Sequence, residues 1–213
     1  MARTLKTYYY VILSFLLLIL CAGNYAYGYE FYEVKWVDDG DTIVLKDGRK
    51  IRYAGINAPE VDHKEIKAEP YAYKSKELNK EMVYLKKVRL EFDAEKNDRY
   101  GRALAYVFLP DGTFVNNEII NKGFAYCLPS PPNLKYEQLL LKSQQNAMSF
   151  KKGIWQNWEE SNSEYIANKR SKRFHYKKCG FANKISKINV KYFSKKWDAF
   201  WEGYAPCRKC FIE

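Results

Sequence analysis

The order of patterns along this chain predicts a small antiparallel β-barrel with attached helices, α+β in class. Short β-rich runs separated by tight turns come first, one helix is inserted, and strands and helices follow. A doubly wound sheet would instead alternate strand and helix from the start. Residues 31–37 alternate apolar and polar side chains, and 42–45 and 50–56 are β-rich runs parted by Asp47-Gly48, a hairpin or meander signature. The segment 69–87 reads as a helix, with Pro70 suited to its first turn and Leu78, Met82 and Leu85 on one face. Strands are expected at 88–92 and 104–109, the second closed by Pro110-Asp111-Gly112. A short helix over 114–121 stops at Gly123, and a longer one over 134–150 offers Leu139, Leu140 and Ala147 for packing. Periodicity does not choose the barrel topology.

Four short stretches carry the chemistry: Asp39-Gly40-Asp41-Thr42, Arg52, Asn57-Ala58-Pro59-Glu60 and Asp98-Arg99-Tyr100-Gly101-Arg102. In-line attack of water on a phosphodiester needs a cation to polarise phosphoryl oxygens, an acceptor for the water proton, and positive charge where negative charge develops. Asp41 and Asn57 are oxygen donors suited to a hard divalent cation such as calcium. Glu60 is placed to orient or deprotonate water, and Arg52 and Arg102 to clamp the phosphate. Each piece alone is common; an Asp-Gly pair is usually a turn. Together, in this order, they point to phosphodiester cleavage.

In these residues the chain resembles the staphylococcal nuclease family, from about residue 32 to 155. The likeness includes the run from Ile51 to Glu60, Asp98 to Tyr106, Asp111-Gly112 with Val115-Asn116, Gly123-Phe124-Ala125 and Lys152-Gly153-Ile154-Trp155. The resemblance implies a five-stranded OB-fold barrel carrying the site on its surface. It implies Asp41 and Asn57 as side-chain calcium ligands and Ala58 as a carbonyl ligand. Arg52 and Arg102 become the phosphate arginines, Glu60 the water-activating carboxylate, and Tyr100 a phosphate or base contact. It also implies hydrolysis leaving a 3′-phosphate and a 5′-hydroxyl. The family pattern has Asp where this chain has Asn57, so one negative metal ligand is neutral here.

The first 28 residues read as a signal peptide: Arg3 and Lys6 precede a short apolar run over 11–20, and Ala26-Tyr27-Gly28 fits a small-x-small cleavage site. The run is short for a bilayer span. Cleavage after Gly28 gives an exported protein, periplasmic or secreted, with no stable membrane span; the alternatives are an anchor through an uncleaved segment and lipidation at Cys21, where bulky Leu20 argues against the latter. Residues 29–164 hold 21 Lys and Arg against 22 Asp and Glu, whereas the last 49 residues hold 13 against 3. The net +11 therefore sits in the tail, where it raises affinity for a polyanion or simply keeps the tail soluble.

Residues 29–158 are thus expected as the nuclease-like domain, 159–171 as a polar linker, and 172–213 as a small zinc-stapled α/β module. His175-x₃-Cys179 and Cys207-x₂-Cys210 enclose a strand-like 189–193 and a helical 195–201. Two close ligand pairs joined by a folded spacer suit a tetrahedral Cys₃His zinc site, and a segment with so thin an apolar content needs a staple. Gly203-Tyr204-Ala205-Pro206-Cys207-Arg208-Lys209-Cys210 resembles the zinc module of the Ada DNA-repair proteins, with His175 where that pattern has cysteine. The alternative is disulfides among Cys127, Cys179, Cys207 and Cys210, since an exported protein meets an oxidising compartment. Cys127 is expected as a buried free thiol, and His63 as a solvated loop residue. Two histidines, one spent on zinc, leave histidine-based nuclease mechanisms short of parts. Two function classes remain: a calcium-dependent nuclease of low sequence specificity acting on DNA, with RNA open, or a catalytically silent OB-fold nucleic-acid-binding module. The retained Arg52, Glu60 and Arg102 favour the enzyme.

Overall fold

The barrel closes through strands whose alternating side chains point Val34, Val37, Ile43, Leu45, Ile51 and Val107 into one core. In this computed structural model, which describes residues 29–63, 67–161 and 163–211, the barrel strands are β1 (Phe31–Asp39), β2 (Thr42–Leu45), β3 (Lys50–Tyr53), β5 (Lys87–Glu91) and β6 (Ala103–Phe108). Their order is β1-β2-β3-β6-β5, with β5 returning to β1. All these pairs are antiparallel except β3 with β6, which run parallel. The five-stranded barrel with attached helices is as the sequence predicts. The signal-peptide region, residues 1–28, lies outside the described residues.

Helix α1 (Ala72–Val83) packs Ala72, Ser75, Asn79 and Val83 inward, a face that is half polar. Each polar member is used: Ser75 Oγ donates to the Phe124 carbonyl, and Asn79 accepts from the Tyr53 hydroxyl and donates to the Asp39 carbonyl. Leu78 and Met82 pack against the core as expected. Leu85 does not. The helix ends at Val83, and Leu85 turns left-handed at φ 57° with its side chain 57 % exposed. Helices α2 (Val115–Asn121) and α3 (Glu137–Ser149) follow; α3 buries Leu140 and Ala147, but Leu139 faces solvent. Two residue pairs too short to show in the sequence, β4 (Ile56–Asn57) and β7 (Tyr126–Cys127), pair antiparallel and fix the loop that carries Asn57.

The chain after Trp155 does not dangle. Strand β8 (Tyr165–Asn168) lies inside the segment expected as a linker and joins β9 (Arg173–Tyr176), β10 (Val190–Phe193) and β11 (Ala205–Pro206) in a sheet of order β10-β8-β9-β11. Helices α4 (Lys196–Trp201) and α5 (Arg208–Phe211) complete this part. Its core is continuous with the α3 side of the barrel: Ala147, Met148 and Trp155 cluster with Tyr165, Phe174, Phe193 and Phe200. Fully buried Gln144 of α3 bridges the two, accepting from the Cys127 amide at 2.6 Å and donating to the Phe200 carbonyl at 2.5 Å. Phe31–Glu213 accordingly forms one compact unit. A close approach locks the end of α2 to the end of α3: a Cβ on Gly153 would meet the Gly123 carbonyl oxygen at 2.1 Å, where Ile154 donates to that same oxygen. Among the described residues no helix is long and apolar enough to cross a membrane.

Candidate active site and metal centre

The turn between β1 and β2 is pressed against its neighbours. A Cβ on Gly40 would lie 1.9 Å from Ser75 Oγ and 2.6 Å from Ala58 Cβ, so only glycine lets the turn reach the β4 loop. That contact places buried Asp41 against Ala58, whose amide donates to Asp41 Oδ2 at 2.6 Å. Arg52 Nη2 pairs with the same oxygen at 2.9 Å, and Thr42 Oγ1 donates to Oδ1 at 3.1 Å. Even so, burial holds the Asp41 carboxyl well above the usual range; Arg52 pulls it down, while Asp39 and Glu60 push it up. A desolvated carboxylate with two acidic neighbours is a site that favours a cation. Its oxygen-only donor set, the Asp41 carboxylate with the Asn57 amide oxygen and the Ala58 carbonyl, fits a hard ion such as calcium.

Arg52 is the hub of this group. Its Nη1 donates to the carbonyls of Tyr53 at 2.9 Å and Ile56 at 3.0 Å, and its Nη2 to Asn57 Oδ1 at 2.8 Å as well as to Asp41. Both terminal nitrogens are engaged with protein oxygens, so the two-pronged phosphate grip expected of Arg52 is not preformed. Asn57 Nδ2 donates in turn to the Ala58 carbonyl at 3.1 Å and the Tyr126 hydroxyl at 3.0 Å.

Arg102 is set differently. The Asp98 carboxylate anchors it through Nε at 2.6 Å and accepts from its backbone amide at 3.0 Å. Tyr100 stands 63 % exposed beside both arginines of its loop, its hydroxyl accepting from Arg99 at 2.7 Å and its ring 5.6 Å from the Arg102 guanidinium. Arg52, Asn57, Glu60, Tyr100 and Arg102 line one cleft of about 890 Å³, with Asp39 at its wall and exposed His63 at its edge. The structure brings the catalytic set named from sequence together.

The cleft also holds residues that sequence reasoning missed. Arg208 of α5 donates to Glu60 Oε1 at 2.9 Å, and Arg173 of β9, whose Nη1 donates to the Pro129 carbonyl at 3.0 Å, lines the same wall. Glu60 and Arg208 are 148 residues apart in sequence, and only the docking of the C-terminal sheet joins them. The concentration of basic residues in the tail was the one signal that pointed this way.

The four tail ligands converge. Their ligand atoms, one each from His175, Cys179, Cys207 and Cys210, all lie within 4.8 Å of one another, and Cys179 Sγ is 3.6 Å from His175 Nδ1. Burial, with Arg173 nearby, holds the His175 imidazolium below its ordinary pKa, the neutral form that ligates metal. Burial pushes the Cys210 thiol up to about 12, with the neighbouring sulfurs adding to the effect. Against burial, the amides of Phe181 and Ala182 hold the Cys179 thiol below its ordinary value. Soft ligands so crowded suit one tetrahedral zinc ion. The four described cysteines are all free thiols, and Cys127 is buried away in the barrel core.

A closed five-stranded barrel whose cleft gathers arginines beside carboxylates suits phosphodiester chemistry. The family described as "Staphylococcal nuclease homologue" matches residues 50–157. The chain is 38 % identical over 129 residues to the thermonuclease of Staphylococcus hyicus, covering 59 % of this chain and 76 % of that protein. It is 38 % identical over 130 residues to the thermonuclease of Staphylococcus intermedius, covering 60 % and 77 %. It is 37 % identical over 136 residues to the endonuclease YncB of Bacillus subtilis, covering 62 % of each. The chain belongs to the staphylococcal nuclease family, and it is a nuclease, a hydrolase of phosphodiester bonds.

Proposed function

We propose that this protein is an exported, calcium-dependent nuclease that hydrolyses DNA, and RNA where it is exposed, with low sequence specificity, leaving 3′-phosphate and 5′-hydroxyl ends. The observation that carries the reading is the cleft lined by Glu60, Arg52 and Arg102, with buried Asp41 paired to Arg52. Asp41, Asn57 and the Ala58 carbonyl would hold calcium, which when bound supplies Lewis-acid polarisation of a phosphoryl oxygen. Glu60 orients the attacking water and takes its proton. Arg102, anchored by Asp98, offers positive charge to the equatorial oxygens as the trigonal-bipyramidal state forms. Arg52 gathers the loop that carries Asn57 and reaches the phosphate by giving up part of its bonding to Asp41 and Asn57. Exposed Tyr100 stacks a base without reading its sequence. The C-terminal part, from β8 onward, is an Ada-like module stapled by zinc on His175, Cys179, Cys207 and Cys210, and the N-terminal 28 residues are the export signal of the protein.

Digestion of plasmid, heat-denatured DNA and RNA by purified protein, with calcium and with it withheld, tests the reading. Denatured DNA should be cut in millimolar-range calcium, with products that carry 3′-phosphates. Glu60→Gln and Arg102→Ala should each lower the rate by on the order of 10²-fold or more while leaving the circular dichroism spectrum unchanged. If both variants cleave at the parent rate, the catalytic assignment is wrong.

A further inference from the structure

Next to the catalytic cleft lies a second hollow, of about 770 Å³, formed largely by the C-terminal sheet and its loops. The two share a wall: Arg99, Arg173 and Arg208 line both. Beyond that wall Lys184 and Lys209 line the second hollow, and among the described residues that line it none is acidic. Phe181, 49 % exposed, borders it with the Lys184 ammonium 5.9 Å from its ring. Three arginines thus form a bridge of positive charge from the cleft to a basic hollow that carries an exposed aromatic ring.

We infer that this hollow is a binding track for the single strand flanking the scissile phosphate, continuing the catalytic cleft onto the C-terminal sheet. The inference deepens the nuclease reading and rests on it for the identity of the ligand. Spaced cations that follow a polyphosphate backbone, interleaved with an exposed ring on which an unstacked base can lie, are what binds single strands without sequence preference. Rigid duplex bases are already stacked and have no use for Phe181. Arg208 sits at the junction. Its pairing with Glu60 is an exposed one, 61 % and 36 % accessible on the two sides, and such pairs contribute little and yield readily to a phosphate. A strand that enters the track therefore draws Arg208 to its backbone and leaves the Glu60 carboxylate to water. The track gives a use to part of the positive charge that the tail carries beyond the near-neutral residues 29–164.

Fluorescence anisotropy with the full chain, calcium omitted so that no strand is cut, tests this with labelled oligothymidylates of about 20 and about 4 nucleotides. The Lys184→Ala/Lys209→Ala variant should bind the long strand about tenfold more weakly, and its affinity should fall less steeply between about 50 and 200 mM salt. The log–log slope should drop by about 1.4, or about 0.7 for each lost phosphate contact. Binding of the short strand, which fits within the catalytic cleft, should change by less than about twofold. Phe181→Ala should weaken long-strand binding with no change in the salt slope, because stacking releases no counterions. Unchanged long-strand affinity in both variants would overturn the track, as would equal losses for the long and short strands. Loss of binding to vesicles of anionic phospholipid, with the long strand unaffected, would assign the hollow to a membrane surface and overturn it too. A wild-type protein that binds the long strand but cuts nothing when calcium is restored would refute the nuclease reading while leaving the track standing.

Discussion

Asn57 gives up little by being an amide in the free protein, because all of its polar atoms are used: Oδ1 accepts from Arg52, and Nδ2 donates to the Ala58 carbonyl and the Tyr126 hydroxyl. Its cost falls on the cation. An aspartate there adds a full charge and removes the N–H that now occupies the Ala58 carbonyl, one of the proposed ligands, while keeping the bond from Arg52. Affinity in oxygen-ligand calcium sites follows ligand charge, so Asn57→Asp should lower the calcium concentration for half-maximal cleavage by about tenfold or more. The rate at saturating calcium should barely move. A calcium titration of both proteins decides it, and coincident half-activation points would remove Asn57 from the metal. At this scale the sequence was informative wherever chemistry lies in short runs: Arg52, Asn57, Glu60 and Arg102 line one cleft, Asp41 pairs with Arg52, and the four tail ligands converge. It was silent on Arg173 and Arg208, whose role depends on a docking between distant segments that no local pattern encodes.

Elements were legible in proportion to their length. The barrel strands and the three longer helices fall within a few residues of their expected bounds, because side-chain alternation and helical spacing need several residues to register. Two-residue strands such as β4, β7 and β11 have no period to read, and β8 hid in a polar segment because Tyr165 and Ala167 alone mark its buried face. Leu85 and Leu139 misled for a physical reason: helix spacing marks a face but not where the helix stops or how far its neighbours reach. The loop after β5 makes a testable case of element stability. Burial pushes the Asp93 carboxyl up, but the Lys135 and Ala94 amides and the Tyr106 hydroxyl, which donate to it at 2.9, 2.9 and 3.0 Å, outweigh that and hold it below its ordinary value. Asp98 and Glu91 are held low as well, each by a bonded arginine or lysine against burial. A carboxylate with a depressed folded-state pKa adds stability that is complete above its unfolded pKa and is lost as pH falls through the folded one. The stability that these three carboxylates contribute should therefore be complete above about pH 5 and decline below about pH 4, read as the difference in urea midpoint between the parent and a variant lacking one of them. Asp93→Asn should be less stable at neutral pH and lose less on acidification, so that the two curves converge toward pH 2 to 3, roughly. Parallel curves at all pH values would show that Asp93 does not carry this linkage.

On the scale of the whole molecule, the C-terminal sheet is a wall of the active site and not an appendage, because α5 begins one residue after a cluster ligand, Cys207, and ends one residue past another, Cys210. Arg208 lies between these two thiols in the chain, so whatever holds the thiols also holds the arginine that faces Glu60. The apolar core of this part is shared with α3, which keeps the sheet docked, and Phe211, one residue past Cys210, stacks on Tyr176 of β9 at the edge of that core. Metal should consequently govern the local order of the last turn more than the fold as a whole. Protein purified without added zinc should carry about one zinc per chain. Cys207→Ser should lower that content, raise hydrogen exchange in residues 173–211, and leave the barrel amides protected. Because the same change releases Arg208 from its place, the variant should lose more activity on long single strands than on a strand of about 4 nucleotides, which does not reach past the cleft. Equal losses on both substrates would mean that the cluster supports the catalytic residues directly, and a Cys207–Cys210 disulfide with no bound metal in mass spectra would overturn the zinc assignment itself.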